Sequence, residues 1–127
     1  IEELEKARKE NWMTYFFYPN TQVESMFSLF LMHKLLFYTV GEFDTVFYPA
    51  YYEDNDYHWR MKLQGYDRLC VKDAYYDHAT SSTIYEFTKE RWAEFEKEFN
   101  KNKDYYRGKW GGEPGHECYK VPFNQPA

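Results

Sequence analysis

The sequence predicts an α/β fold in which a small mixed sheet is flanked by helices. A chain of 127 residues has room for a single domain with one hydrophobic core. Short aromatic runs that favour strands alternate with longer stretches whose apolar residues recur at helical spacing. Gly41 and Gly65 stand where two of the helices would end. We expect a lead-in helix and strand over residues 1–25, a core over 26–100 and a C-terminal tail over 101–127.

The first third of the chain is interpreted as a helix and two strands. Charged pairs four residues apart predict an exposed connecting helix over residues 1–10. The aromatic run over residues 12–18 favours a strand that stops at the turn dipeptide Pro19-Asn20. The continuous apolar run over residues 26–32 is typical of a strand buried on both faces. Two strands of the sheet are thus expected before residue 33.

Three helices and a further strand are expected downstream. The first helix covers Lys34–Val40, and the second runs from residue 53 or 54 to about residue 64. A short strand follows over residues 68–72. The third helix begins at Thr88 and ends near residue 101, and its aromatic stripe is expected to pack into the core. That stripe consists of Trp92, Phe95 and Phe99.

Composition and charge exclude several classes of function. The net charge is −5, and the basic residues form no long run, which argues against binding to a nucleic-acid backbone. The apolar run over residues 26–40 is too short and too polar to span a bilayer. Cys70 and Cys118 match no zinc or redox spacing, so we expect free thiols and a cytoplasmic location.

The stretch over residues 41–65 is the strongest candidate for a site. Residues 42–48 are predicted to be irregular or a short strand, and Pro49 directs the chain in extended form toward Tyr51 and Tyr52. These rings suit either a core or the face of a sugar. Glu53, Asp54 and Asp56 follow at a helix start, where the helix dipole favours negative charge.

Three interpretations of this acidic run are open. Asp54-Asn55-Asp56 could clamp a divalent metal through hard oxygen ligands. One carboxylate could instead be a general base for an attacking hydroxyl group. The third interpretation is simple capping of the helix, although three acids in four residues exceed what capping needs. Few residues precede the run to hold a nucleotide, so we favour the general base over the metal clamp.

Two more residues have both a chemical and a structural interpretation. His78 could ligate a metal, take part in an acceptor pocket or pack at the end of a strand. Trp110 could cover a sugar ring or anchor the C-terminal tail to the core.

Taken together, these residues resemble the acceptor-side half of family 2 inverting glycosyltransferases, of the type that adds sugars such as rhamnose to surface polysaccharides. The resemblance covers residues 26–83, and the helix that starts at Thr88 is similar to the end of such catalytic domains. The motif comprises Gly41-x-Phe43-Asp44, Phe47, Tyr51-x-Glu53-Asp54-x-Asp56, Arg60, Gly65-Tyr66 and His78-x-x-Ser81 with Thr83.

The resemblance implies part of a GT-A fold and an inverting transfer without a covalent intermediate. A nucleotide-sugar would be the donor, a glycan the acceptor, and Mg²⁺ or Mn²⁺ the cofactor. Asp54 would be the general base, and Arg60 would anchor Asp56 or Asp44. His78 would lie near the metal. Acceptor-binding residues would be Glu53, Asp56, Arg60, Tyr51, Tyr52 and Trp110.

The nucleotide-binding half of that family has no counterpart before residue 26. We therefore expect that the chain is a fragment, that the missing half lies on a partner chain, or that catalysis has been lost. Two other classes of function stay open. One is a carbohydrate-binding module that holds a glycan without turnover, and the other is a scaffold half that completes a partner's active site.

Overall fold

The structure is a computed structural model that describes residues 1–11, 13–20, 26–78 and 87–126. The chain divides into two compact units. The first comprises Ile1–Glu42 and Arg60–Thr80, and the second Phe43–Trp59 and Ser81–Ala127. Helices and a small mixed sheet confirm the α/β class. The GT-A arrangement and the single domain stay predictions.

The first unit contains a three-stranded sheet. Strand β1 (Phe16–Asn20) is central, with β2 (Leu31–Met32) antiparallel on one side and β3 (Arg68–Tyr75) parallel on the other. The predicted mixed sheet is therefore confirmed, and the strand predicted over residues 68–72 is present and longer. Pro19 belongs to β1 instead of forming a turn, and a register irregularity follows it.

Helix α1 (Glu2–Glu10) corrects the expectation of an exposed connector. Its Leu4 and Ala7 side chains are buried in a cluster with Phe17, Val71 and Ala74. Two apolar residues one turn apart suffice for this docking, because side chains three apart lie on the same face of a helix. Helix α1 therefore covers one face of the sheet.

The strand buried on both faces is β1, not the apolar run at 26–32. Phe16 and Phe17 are consecutive, point to opposite faces of the sheet, and are both buried. Turns occupy residues 26–28, and only Leu31–Met32 of the apolar run pairs with β1. The expected long strand at 26–32 was thus wrong.

Helices α2 (Lys34–Val40) and α3 (Glu53–Leu63) confirm their predicted positions. The His33 ring accepts a hydrogen bond from the backbone N–H of Leu35 at 3.0 Å and caps α2. The backbone at Gly41 has a φ of 91°, which favours glycine after the helix. Residues up to Trp59 of α3 belong to the second unit, and the remainder belongs to the first.

The second unit is built around helix α4 (Lys89–Trp110), with a 3-10 helix at Thr45–Phe47 and another at Pro122–Asn124. Thr88 caps α4, as predicted. The helix continues nine residues beyond the predicted end at residue 101. The buried residues of this helix keep helical spacing beyond residue 101, where a tail is predicted. Gly111 ends the helix in the left-handed conformation.

The aromatic stripe of α4 is not core, so the predicted packing of this stripe was wrong. Trp92 is 45% exposed, and Phe95 and Phe99 are half-buried. The buried side chains of α4 all lie in its second half. They are Asn102, Tyr106, Lys109 and Trp110.

Both cysteines are free thiols. Within the described ranges, none of the helices combines the length and the apolar character that crossing a membrane requires.

Candidate functional site

The carboxylate pair of the predicted site lies in the second unit, at the N-terminus of α3. Tyr48, the residue before Pro49, is extended as predicted, with φ −58° and ψ 140°, whereas the two residues before the pair, Tyr51 and Tyr52, have φ values of 76° and 73°. Left-handed backbone costs roughly 1–2 kcal/mol per non-glycine residue. The first helical hydrogen bond runs from the Asp56 N–H to the Tyr52 carbonyl at 2.9 Å. The helix therefore begins directly from this strained turn.

Asn102 holds the turn from the opposite helix. Its side chain is fully buried, and Nδ2 donates to the carbonyl oxygens of Phe47 at 2.7 Å, Ala50 at 2.9 Å and Tyr51 at 3.3 Å. Its Oδ1 is buried with no hydrogen-bond partner among the described residues. A buried polar atom without a partner is costly, and the bonds that Nδ2 donates oppose this cost.

The two carboxylates of the pair have different surroundings. Asp54 is half-buried, and its Oδ1 accepts a hydrogen bond from the Asn55 N–H at 2.7 Å. One oxygen of Glu53, Oε2, is buried with no partner among the described residues. Burial raises the pKa of the Glu53 carboxyl group, and the neighbouring Asp54 carboxylate raises it further, while backbone N–H groups oppose both effects.

A buried ion cluster lies within the same unit. The Lys109 Nζ atom is 2.7 Å from Asp44 Oδ2 and 2.7 Å from Asp56 Oδ1. Asp56 has no exposed surface. The ammonium group also lies 5.2 Å from the ring centre of Trp110, so the ring quadrupole adds to its stabilisation. One cation thus serves two carboxylates in a largely dry environment.

Two aromatic side chains complete this cluster with hydrogen bonds. Trp110 Nε1 donates to Asp56 Oδ1 at 2.8 Å, and the Tyr105 hydroxyl donates to Asp44 Oδ2 at 3.0 Å. Burial would raise the pKa of Asp44, but the hydrogen bonds from Lys109 and from the Val46 backbone outweigh it, and the pKa is lowered. Burial and the bond to Asp44 raise the pKa of Tyr105 to about 12.

The segment after α4 folds back onto the end of that helix. The Tyr106 hydroxyl donates to Glu117 Oε1 at 2.5 Å, and the backbone N–H groups of Cys118 and Tyr119 both donate to the Trp110 carbonyl. Burial and the Glu117 carboxylate raise the pKa of Tyr106 well above its usual range. Trp59 Nε1 donates to the Tyr119 carbonyl at 3.2 Å. The tail therefore packs against the C-terminal end of α4.

The sequence predicts that Asp56 and Trp110 bind the acceptor, whereas the structure places both side chains in the interior. Both side chains are buried and bonded to each other, so in this conformation neither presents a surface to a ligand. Lys109 forms ion pairs with both Asp44 and Asp56, the two carboxylates for which Arg60 is the predicted partner.

Arg60 belongs to the first unit. Its guanidinium group donates to the Val40 carbonyl at 2.9 Å and to the Glu42 carbonyl at 2.8 Å. These two bonds hold the C-terminal end of α2, where the backbone turns at Gly41.

His78 is exposed at the end of the described part of the first unit, with Nε2 3.2 Å from Ser28 Oγ. No three His, Cys, Asp or Glu side chains are grouped to hold a metal ion within residues 1–11, 13–20, 26–78 and 87–126. These residues therefore do not supply a complete metal site by themselves. Ser81 and Thr83, the other members of this motif, lie outside the described residues.

An open groove runs along the exposed half of α4. It has a volume of about 600 Å³ and is mostly apolar. Tyr51 joins it to the strained turn, because its ring centre lies 5.4 Å from that of Phe95 and 5.5 Å from that of Phe99, both edge-on. The lining side chains are Tyr51, Lys89, Trp92, Ala93, Phe95, Glu96 and Phe99.

Sequence reasoning missed Asn102, Tyr105 and Lys109. A signal was present for Asn102 and Lys109, because residues 95, 99, 102, 106 and 109 recur every three or four positions and continue the aromatic stripe of the helix, whereas Tyr105 lies outside this series. The polar run over residues 100–104 and the glycine at position 108 concealed it. A helix that buries polar side chains does not show the apolar periodicity used to find its face.

Comparison with known proteins gives one partial similarity. The chain is 35% identical over 83 residues to a Leishmania donovani protein described as a galactofuranosyl glycosyltransferase. The match covers 65% of this chain and 18% of that protein, so the chain spans less than a fifth of its relative. No family model and no solved structure matches the chain. The similarity supports a glycosyltransferase relationship at this coarse level.

Proposed function

We propose that this chain carries the acceptor-side part of an inverting glycosyltransferase that moves a sugar from a nucleotide-diphosphate sugar to a carbohydrate hydroxyl group. The observation that carries the proposal is the Glu53–Asp54 carboxylate pair, which a strained and clamped turn presents at the start of α3. The partial similarity to a protein described as a galactofuranosyl glycosyltransferase supports the same chemistry.

Asp54 is the general base in this proposal. It accepts the proton of the acceptor hydroxyl group while that oxygen forms a bond to the anomeric carbon of the donor sugar. The bond between the anomeric carbon and the nucleoside diphosphate breaks with its electron pair on the diphosphate. Attack from the opposite face inverts the configuration, and no enzyme nucleophile takes part. Asp54 suits this role because it is partly exposed, whereas Asp56 is buried.

The remaining predicted residues have supporting roles in the proposal. Glu53 and the rings of Tyr51 and Tyr52 contact the acceptor, since ring faces pack against the C–H surfaces of sugars. Asp56 and Trp110 connect the first turn of α3 to the end of α4 through their buried hydrogen bond.

A divalent cation and the nucleotide-sugar site are also part of the proposal. Mg²⁺ or Mn²⁺ would offset the charge that develops on the departing diphosphate. The described residues contain no complete ligand set, so His78 could supply at most one ligand, and no step of the mechanism above depends on the metal. The nucleotide-binding half would come from the rest of a longer chain or from a partner.

The test compares two substitutions in the full-length protein that contains this sequence. Asp54→Asn should lower sugar transfer about 10²–10⁴-fold, the range for loss of a positioned general base. Asp104→Asn, which changes an exposed carboxylate on α4, is the matched control and should leave transfer unchanged. Release of nucleoside diphosphate is the measurement. Transfer within a few-fold of wild type in Asp54→Asn would show that the base is elsewhere.

The exposed aromatic groove favours a second candidate, a carbohydrate-binding module without catalysis. Such a module would bind a glycan and release no nucleoside diphosphate from a nucleotide-sugar supplied with Mg²⁺ or Mn²⁺. Glycan binding that is lost in Trp92→Ala, together with no turnover, would support it over the transferase. Co-purification of a nucleotide-binding chain would instead favour a scaffold that completes a partner's active site.

A further inference from the structure

We propose that Asn102 is a positioning residue, whose buried carboxamide holds the left-handed turn at Tyr51 and Tyr52 and thereby sets the direction of the Glu53 and Asp54 carboxylates. The proposal rests on the proposed function for its catalytic consequence. Its structural part rests only on contacts within the second unit.

The turn at Tyr51 and Tyr52 has an unfavourable backbone conformation. Two consecutive bulky residues in the left-handed region do not keep that conformation by their own preference, so the surroundings must impose it. The carbonyl oxygens of Ala50 and Tyr51 are directed toward α4, where Asn102 Nδ2 donates to both. The side chain thus acts on the peptide units on either side of the first strained residue.

Asn102 acts at this position as a hydrogen-bond donor. The Nδ2 atom also reaches the carbonyl oxygen of Phe47, so three acceptors share the two hydrogens of one amide. Asn102 Oδ1 is buried with no partner among the described residues. The Nδ2 donor is what distinguishes Asn102 from an apolar side chain of similar volume, which would avoid the unpaired oxygen atom but could not bond the turn.

The turn leads directly into the helix that carries the two carboxylates. Helix α3 begins at Glu53, two residues after Tyr51, and its first hydrogen bond ends on the Tyr52 carbonyl. A change in the peptide planes at Ala50 and Tyr51 therefore rotates the first turn of α3. A shift of about 1 Å in a positioned group can lower a rate about 100-fold. Asn102 reaches no reacting atom, so its effect passes through the backbone.

The test uses Asn102→Ala in the full-length protein, with Asn100→Ala as the matched control on the exposed side of the same helix. Hydrogen exchange is compared between a peptide covering residues 47–54 and one covering residues 103–110. We expect exchange in the turn to become about tenfold faster, with little change in the helix. The kcat for sugar transfer should fall about 100-fold while the donor KM stays within about twofold. Asn100→Ala should change neither.

Three results would overturn the proposal: unchanged exchange in the turn, equal acceleration of the turn and the helix, or a looser turn with unchanged kcat. A wild-type protein that transfers no sugar overturns the proposed function instead, while the exchange rates still decide whether Asn102 holds the turn. If Asn102→Ala does not fold, Asn102→Leu serves in its place, because it restores volume without a donor. The same three results then apply.

Discussion

The ammonium group of Lys109 lies 2.7 Å from the carboxylate of Asp56, a side chain with no exposed surface. The same ammonium group lies 2.7 Å from Asp44. A buried charge is tolerated only where partners replace its lost hydration, and here one cation contacts two carboxylates. Trp110 and Tyr105 donate hydrogen bonds to the same two carboxylates. This cluster connects the segment around Asp44, helix α3 and helix α4 within the second unit.

We expect Lys109→Met to destabilise the protein by about 3–5 kcal/mol, because it removes the ammonium group that contacts both Asp44 and the buried Asp56. Lys101→Met, on the exposed side of α4, is the matched control and should change the free energy of unfolding by less than about 0.5 kcal/mol. Urea unfolding at neutral pH measures both variants. A loss below about 1 kcal/mol in Lys109→Met would mean that the cluster is solvated and contributes little.

Asp44 should make stability depend on pH in the acid range. Its pKa in the folded protein is lowered below the ordinary value of 3.8, so its contribution is complete above that value. The contribution is lost as the pH falls through the folded pKa. We therefore expect Asp44→Asn to be less stable than wild type at neutral pH. The difference in the free energy of unfolding between the two should narrow below pH 3.8.

Urea unfolding of wild type and Asp44→Asn over this pH range checks the prediction. Because the bond from Lys109 is the largest of the effects that lower this pKa, the gap should also shrink when Lys109→Met is already present. A gap that is constant with pH, or one that widens in acid, would contradict the assignment.

The outline of the fold was readable from the sequence wherever a local signal decided it. Helices α2 and α3 are marked at their ends by Gly41 and Gly65. Helix α4 was predicted too short because its second half buries Asn102 and Lys109, polar residues that interrupt the apolar pattern of its inner face. The carboxylate pair was identified, yet the side chains that hold it come from residues about 50 positions later in the chain. Such contacts depend on tertiary packing and leave no local trace.

Glu53 should have the opposite pH dependence to Asp44. Burial raises the pKa of its carboxyl group above the ordinary value of 4.5, so the folded protein favours the protonated form. Wild type should therefore gain stability relative to the unfolded chain as the pH falls through the raised pKa. We expect Glu53→Gln, which removes the charge but keeps the shape, to be more stable than wild type at neutral pH.

The free energy of unfolding of Glu53→Gln and wild type, measured from neutral to acid pH, checks this. The difference should be largest where Glu53 is ionised and should close once it is protonated in both states. A Gln variant that is less stable at neutral pH would indicate that the Glu53 carboxylate has a partner of opposite charge.

Tyr105 should ionise late in an alkaline titration. Burial and its hydrogen bond to Asp44 raise its pKa from 10.0 to about 12. The phenol form thus contributes stability that is complete below pH 10 and is lost as the pH rises through about 12. The ultraviolet difference titration between wild type and Tyr105→Phe isolates this residue. Its midpoint should move down in the Asp44→Asn background, and a midpoint near 10.0 in the wild-type background would contradict the buried bond.

Gly112 and Gly115, two of the glycines that follow α4, differ in the atoms that an added side chain would meet. A Cβ atom added at Gly112 would lie 2.0 Å from the backbone oxygen of His116, whereas one added at Gly115 would meet nothing within 4 Å. Gly112→Ala should destabilise the protein by about 3 kcal/mol, since backbone must move to admit the methyl group. Gly115→Ala should cost only the roughly 1–2 kcal/mol of its left-handed conformation, with a φ of 87°.

Urea unfolding compares the two glycine variants, and the environment of Tyr106 distinguishes their effects. The Gly112→Ala change displaces the segment that carries Glu117, so the bond from the Tyr106 hydroxyl group to that carboxylate should be lost. Glu117→Gln provides the reference for a missing carboxylate, because the Glu117 side chain raises the Tyr106 pKa. Both variants should therefore lower the pKa of Tyr106, and Gly115→Ala should leave it closer to wild type. Equal destabilisation by the two alanine substitutions would contradict the close backbone packing at Gly112.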